Sequence, residues 1–281
     1  MATQPSEAMV GAAGASASTS RSFQADLAAE FERLLRPPRD ELTSIAIDAV
    51  LVSVAWALLP ASVHEWLFSL SGPMAFAVVL QAWMLGDSAT TNVLGNDVAA
   101  ALETMPDPAR FRRLLRIKTV AVASIVAATC VLVCAVVAAA QHAFLSGLML
   151  CAVLLVAPFG AVALAEWVGI RWPYHRRPLQ WRWEQRRMYR RTVRWLLLVM
   201  SPLLLVPTIL AAFLASGIAA GSALGGRNAH GHLDATGLTI AAGVAALCAA
   251  GAFVAAPHGS ITLARRRQAA LRDFLRDPGR G

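Results

Sequence analysis

Positive charge in this chain is confined to a few segments, and that placement limits the folds open to it. Six apolar stretches rich in Ala, Val and Leu fall at about residues 44–60, 66–85, 119–140, 144–168, 195–216 and 238–256. Runs of about 20 residues, at roughly 1.5 Å each, match the hydrocarbon core of a bilayer. Assigning the N-terminus, the second loop, the fourth loop and the C-terminus to one side gives these segments four, five, nine and six basic residues. The three loops opposite share one, Arg227. Arg and Lys accumulate on the cytoplasmic side of membrane proteins, so both ends are expected in the cytoplasm, with an even number of spans. The expected fold class is therefore all-α: a polytopic protein of about six transmembrane helices in a bacterial cytoplasmic membrane.

Composition agrees with this reading. The 281 residues are 57% hydrophobic and 15% charged, against about 25% charged in ordinary soluble domains. The net charge of +8 does not point to nucleic acid, because the basic residues border apolar runs. Lys118 is the one lysine among 25 basic residues. That Arg bias, with so much Ala, suggests a GC-rich bacterial genome. Cys130, Cys134, Cys151 and Cys248 all fall inside predicted spans and are expected to be small packing residues rather than a disulfide framework. No metal site is expected from them.

The chain divides into four parts. Residues 1–21 are Ala, Ser and Thr-rich, lack the apolar centre of a leader peptide, and are expected to be disordered. Residues 22–43 hold an amphipathic helix and a linker. Phe23, Leu27, Phe31, Leu34 and Leu35 recur at helical spacing after Ser22, a good N-cap, and before the stop at Pro37-Pro38. Such a helix lies along a membrane surface or packs on its own protein. Residues 44–257 form the transmembrane domain, and 258–281 a basic cytoplasmic tail.

Catalysis can largely be set aside. A P-loop needs Gly-x-x-x-x-Gly-Lys-Ser/Thr, whereas Lys118 follows FRRLLRI. Neither a His-Glu-x-x-His pair nor a Gly-x-Ser-x-Gly elbow is present. No enzyme activity and no cofactor are expected, so energised transport would need a separate ATPase or an ion gradient. His230, His232 and Asp234 spell a pattern that some metallohydrolases use, but without their scaffold these residues read as a polar loop tip.

Three segments remain as candidates. Asp48 and Glu166 are the ionisable groups nearest the hydrocarbon, where a charge costs roughly 2.5–3.5 kcal/mol at the bilayer centre. Each is expected to form an interfacial ion pair with a nearby Arg, the alternative being a proton or substrate contact. The second loop places VAAALETM, residues 98–105, before a break at Pro106 and a basic helix capped by Asp107. Val98, Leu102, Glu103 and Met105 thus form a short helix suited to docking another protein. The fourth loop interleaves Arg176, Arg177 and Arg182 with Trp181 and Trp183, a composition suited to anionic lipid headgroups. The repeat Gly217, Gly221 and Gly225 offers either a close helix contact or a flexible exit from the fifth span.

This layout resembles the permease subunits of ATP-binding-cassette transporters of the type-2 exporter class. The matching positions are Phe23–Arg36 for an interfacial helix, Val98–Met105 for a coupling helix and Ile218–Gly237 for an outer re-entrant element. TTNVLGND and GIRWPYHRRPLQWRW are also similar to stretches of uncharacterised actinobacterial multi-pass proteins. The resemblance implies a homo- or hetero-dimer working with a separate nucleotide-binding ATPase subunit. Two other functions fit the same residues: a membrane scaffold or accessory protein for envelope assembly, and a secondary transporter using protons at Asp48 or Glu166.

Overall fold

A computed structural model of the chain describes residues 22–37, 39–60, 62–63, 72–86, 92–140, 144–175, 189–226 and 233–277. The described residues are 89% helical, with no β-strand among them. The helices are α1 (Phe23–Leu35), α2 (Asp40–Leu58), α3 (Gly72–Leu85), α4 (Val93–Asn96), α5 (Val98–Thr104), α6 (Pro108–Ala140), α7 (Phe144–Arg171), α8 (Tyr189–Leu224), α9 (Ala235–Arg266) and α10 (Gln268–Arg276).

Among the described residues each apolar stretch contributes a helix, and four of these helices are long and apolar enough to cross a membrane. These are the segments Pro108–Val136, Val153–Arg171, Leu196–Leu224 and Thr236–Arg266. The first two predicted spans correspond to α2 with 19 residues and to α3, of which 14 residues are described. Several large apolar side chains face outward on the bundle: Leu58 and Leu204 are each 77% exposed and Leu247 is 72% exposed. Apolar surface on that scale is unfavourable in water and suits a lipid environment. The protein is a membrane-embedded helical bundle.

Local chemistry sets the helix ends. The Ser22 hydroxyl accepts from the Ala25 amide at 3.2 Å and starts α1. Asp107 accepts from the Ala109 and Arg110 amides at 2.8 and 3.3 Å and starts α6. With Pro108 at the first position, nothing interrupts the backbone ladder from the basic segment into the third apolar run. The predicted basic helix and third span are therefore one helix of 33 residues.

The bundle packs α7 beside α9 in the same direction. Gly160 abuts Ala249, and two turns further on the Trp167 indole donates to the Ala256 carbonyl at 3.3 Å. Helix α8 returns antiparallel to α9. At Gly217 a β-carbon would collide with the Ala241 carbonyl oxygen, and at Gly221 with that of Gly237. The glycine repeat is thus a close helix contact. This contact carries α8 unbroken to Leu224, and residues 235–237 already form the first turn of α9. Of the segment expected to form a re-entrant element, 218–224 continue α8 and 235–237 begin α9, while 227–232 lie outside the described residues. Asp234 closes the hairpin by accepting from the Gly237 and Gly226 amides at 2.6 and 3.3 Å. It is a helix cap, and His230 and His232 lie outside the described residues.

Two apolar cores result. The larger lies within the bundle and gathers Phe76, Leu80 and Met84 of α3 with Val126, Leu154 and Val206. The smaller lies at the end that carries the basic segments. It joins Leu94, Met105, Phe111, Ile170, Ile261 and Leu271, drawn from α4, the residue after α5, and α6, α7, α9 and α10. The basic tail is therefore structured over much of its length: α9 runs to Arg266, and α10 buries Leu271 and Leu275.

Candidate functional site

At the basic end, α1, α5 and the first turns of α6 enclose a cleft of about 760 Å³ lined by Asp26, Glu30, Asp97, Glu103, Arg110 and Arg113, among others. Helix periodicity builds its first wall. Asp26, Glu30 and Leu34 recur every four residues on α1 and face α6, with Glu30 and Leu34 buried. The parallel ridge ends in Phe23 and Leu35, which are 42% and 58% exposed. Helix α1 therefore packs on its own protein along one edge and leaves Phe23 and Leu35 exposed on the other.

Lys118 organises the cleft. Its ammonium is buried and donates to Glu30 Oε1 at 3.3 Å and to Asp97 Oδ2 at 3.0 Å. Glu30 also receives the Arg33 guanidinium, from Nη2 at 2.8 Å and Nε at 3.1 Å. Asp97 is the N-cap of α5, its Oδ1 accepting from the Ala100 amide at 3.2 Å. One lysine on α6 thus holds α1 through Glu30 and α5 through its cap. Arg113, one and a half turns earlier, adds an ion pair to Asp26 at 2.6 Å.

The electrostatics follow from burial and partners. Burial pushes the Glu30 carboxyl up, but Arg33 and Lys118 outweigh it and hold the group below its ordinary range. Burial also pushes Asp97 up, and Lys118 with the Ala100 amide more than offsets it. Both carboxylates are charged at neutral pH. The cleft therefore presents mixed charge, with Glu103 exposed at its rim.

The docking candidates on α5 divide by face. Met105 is buried, and Val98 and Leu102 pack against the smaller core. Only Glu103 of the four is exposed, beside Ala99. Any partner of α5 meets the Ala99–Glu103 face, since the apolar face is already occupied. The start of the fourth loop is also held. The His175 ring stacks on Phe274 of α10 with centroids 4.9 Å apart, and its Nε2 lies 2.9 Å from the Phe274 carbonyl oxygen. The Tyr174 amide donates to Asn92 Oδ1 at 3.4 Å. Arg176, Arg177, Trp181, Arg182 and Trp183 lie outside the described residues.

The two intramembrane carboxyls differ. Asp48 is half-buried on α2. Glu166 is fully buried on α7 and accepts from the Thr119 hydroxyl, with no Arg partner among the described residues. Among the described residues no ion pair to Glu166 is seen, and its face of α7 turns toward Thr119 of α6; Arg176, Arg177 and Arg182 of the adjoining loop lie outside the described residues. The sequence reading missed the pairing of Lys118 with Glu30 and Asp97. The available signal was a single lysine among arginines at the foot of an apolar run.

Comparison with protein-family models, with characterised proteins and with solved structures returned no match for the chain.

Proposed function

We propose that the chain is a non-catalytic permease subunit of an ATP-driven exporter, spanning the bacterial cytoplasmic membrane six times with both termini in the cytoplasm. In this reading α2 and α3 supply the first two spans. The charged cleft is cytoplasmic and receives a separate ATPase subunit. A homo- or hetero-dimeric assembly would place the substrate path between protomers.

One observation carries the proposal. The Lys118 clamp ties α1 and the short helix α5 to α6, and α6 continues without a break for 33 residues into the bundle. Force applied to the exposed face of α5 by a partner would therefore reach a long apolar helix through buried ion pairs rather than through a loose loop. The basic segments at this end favour the cytoplasmic side and contact with anionic lipids.

The test is purification of the tagged protein from its own host in mild detergent, with mass spectrometry of what accompanies it. Scrambling residues 98–105 would break the smaller core, so the informative variants are Ala99→Arg and Glu103→Arg on the exposed face. A stoichiometric P-loop ATPase that is lost in both variants, with the permease still folded, is the expected outcome. An intact protein that brings only envelope-assembly enzymes would replace this reading with the scaffold one. Orientation is checked separately on a cysteine-free background. Glu103→Cys should react with an impermeant thiol reagent only in inverted vesicles, and Arg227→Cys only in intact cells.

A further inference from the structure

Glu166 does not belong to the cleft, and the proposed coupling leaves it unexplained. It is fully buried on α7. One carboxyl oxygen accepts from the Thr119 hydroxyl of α6, and the other has no hydrogen-bond partner among the described residues. The Ser260 hydroxyl on α9 is likewise buried with no partner among them. These groups share one level of the bundle. Trp167, next to Glu166, packs on Gly259, next to Ser260, and Ile170 and Ile261 lie together in the smaller core with Leu115, one turn before Thr119.

A carboxylate with one bare oxygen in a dry apolar interior is among the costliest arrangements in a protein, and its usual resolution is to take up a proton. Among the described residues, no element packed against α7 places a cation in an ion pair with Glu166; on α6, Arg112 and Arg116 precede Thr119 by about two turns and one turn without pairing to Glu166. On α6, Lys118 is committed to Glu30 and Asp97. On α9, His258 is exposed. Helices α3 and α4 carry no titratable residue, and α8 carries charge only at residues 190–194. Nor does Glu166 show a charge–charge interaction with any described group.

We infer that Glu166, with the hydroxyls of Thr119 and Ser260, forms an intramembrane proton-binding site where α6, α7 and α9 meet. The ligand is a proton rather than a metal cation. Hard cations require six or more oxygen ligands, whereas a carboxylic acid needs one acceptor for its O–H and one donor for its carbonyl oxygen. Thr119 already supplies the donor, and we assign the acceptor to Ser260, whose buried hydroxyl is unpartnered among the described residues. Binding is simple: the free carboxylate oxygen takes one proton from water and becomes neutral. Thr119 directly follows Lys118, so displacement of the clamp moves the hydroxyl that holds Glu166. The inference does not rest on the exporter reading.

Infrared spectroscopy of the full-length protein in phosphatidylcholine vesicles at neutral pH tests it. Exposed carboxyls are ionised there and are silent in the carboxylic-acid carbonyl region, so Glu166 should give a distinct band that shifts in D₂O. The band should vanish in Glu166→Gln. In Thr119→Val it should persist and move to higher frequency, because the carbonyl loses its donor. Thr119→Val leaves the acid in place and keeps the question decidable should the Gln variant fail to fold. Absence of the band from the wild-type protein would overturn the proposal. So would its replacement by a carboxylate band on adding sodium at constant pH, which would make the site a cation site.

Discussion

The cleft of α1, α5 and α6 and the seam between α8 and α9 are held by opposite means. In the cleft, contact is made by charge at a distance: Lys118 reaches Glu30 and Asp97, and Arg113 reaches Asp26. In the seam, between Gly217 and Gly221 on one side and Gly237 and Ala241 on the other, the contact is made by backbone and small side chains alone. Lipid supplies little hydrophobic drive between helices, so close packing of small residues must serve there. At the basic end water is available, and ion pairs can be made, loosened and re-made. The seam suits a fixed frame, and the cleft suits a junction that transmits or senses.

Removing the organising charge should break this contrast most severely. Lys118→Met leaves Glu30 and Asp97 facing each other with no cation between them. Loss of one partner from a buried pair costs roughly 3–5 kcal/mol. Hydrogen exchange should show α1 and α5 losing protection together, while α8 and α9 do not change. If protection fell across the whole bundle, the clamp would be a general folding element and the proposed division would fail.

Gly221→Leu attacks the other side. A larger side chain there meets the Gly237 carbonyl oxygen and the Ala241 methyl. Overpacking of this kind costs about 1–3 kcal/mol. Thermal denaturation in detergent should fall while the cleft keeps its pattern of protease protection. An unchanged midpoint would mean that the helices part easily, and close contact would no longer explain the seam.

Acid should separate the two regions without any mutation. Glu30 and Asp97 are held below their ordinary values of 4.5 and 3.8. A group depressed in the folded state stabilises it above its unfolded value, and that contribution is lost as pH falls through the folded one. The cleft should thus be intact above about pH 4.5 and loosen as pH falls below the range of ordinary carboxylates. The seam has no titrating group among Gly217, Gly221, Gly237 and Ala241 and should not respond. Exchange rates of α1 followed from neutral to acid pH would show this, and an α1 indifferent to acid would mean that Lys118 is not what holds it.

The helices themselves were legible because apolar runs, caps and prolines act locally. Ser22 and Asp107 cap their helices as their residue types require, and α1 ends at Leu35, just before Pro37. The α5 segment also lies where the break at Pro106 placed it. The lateral partners were not legible, since nothing in a helical period says which neighbour a face will meet. Glu30 and Lys118 are 88 residues apart, and Glu166 and Thr119 are 47 apart. Glu166 shows the difficulty: its distance along the helix from a polar boundary suggested an Arg partner, and only the rotation of α7 shows that it meets Thr119. The glycine repeat was ambiguous for the same reason until Ala241 supplied the opposing surface.

The smallest expected effect is the one that sharpens the contrast within the cleft. Arg113 and Asp26 form a pair at 2.6 Å, shorter than either Lys118 contact, yet their side chains are 35% and 28% exposed against 6% and 10% for Lys118 and Glu30. If length governed strength, Arg113→Ala would be the more damaging change. Burial argues the reverse, because water and salt screen the exposed pair and rehydrate Asp26 when its partner is lost. Arg113→Ala should therefore cost about 0.2–1 kcal/mol. That small cost should shrink further in high salt, while the cost of Lys118→Met persists. Measuring both variants at low and high ionic strength decides the matter. Equal losses with equal salt dependence would show a single diffuse charge cluster; unequal ones would fix Lys118 as the point where the outer elements join the bundle.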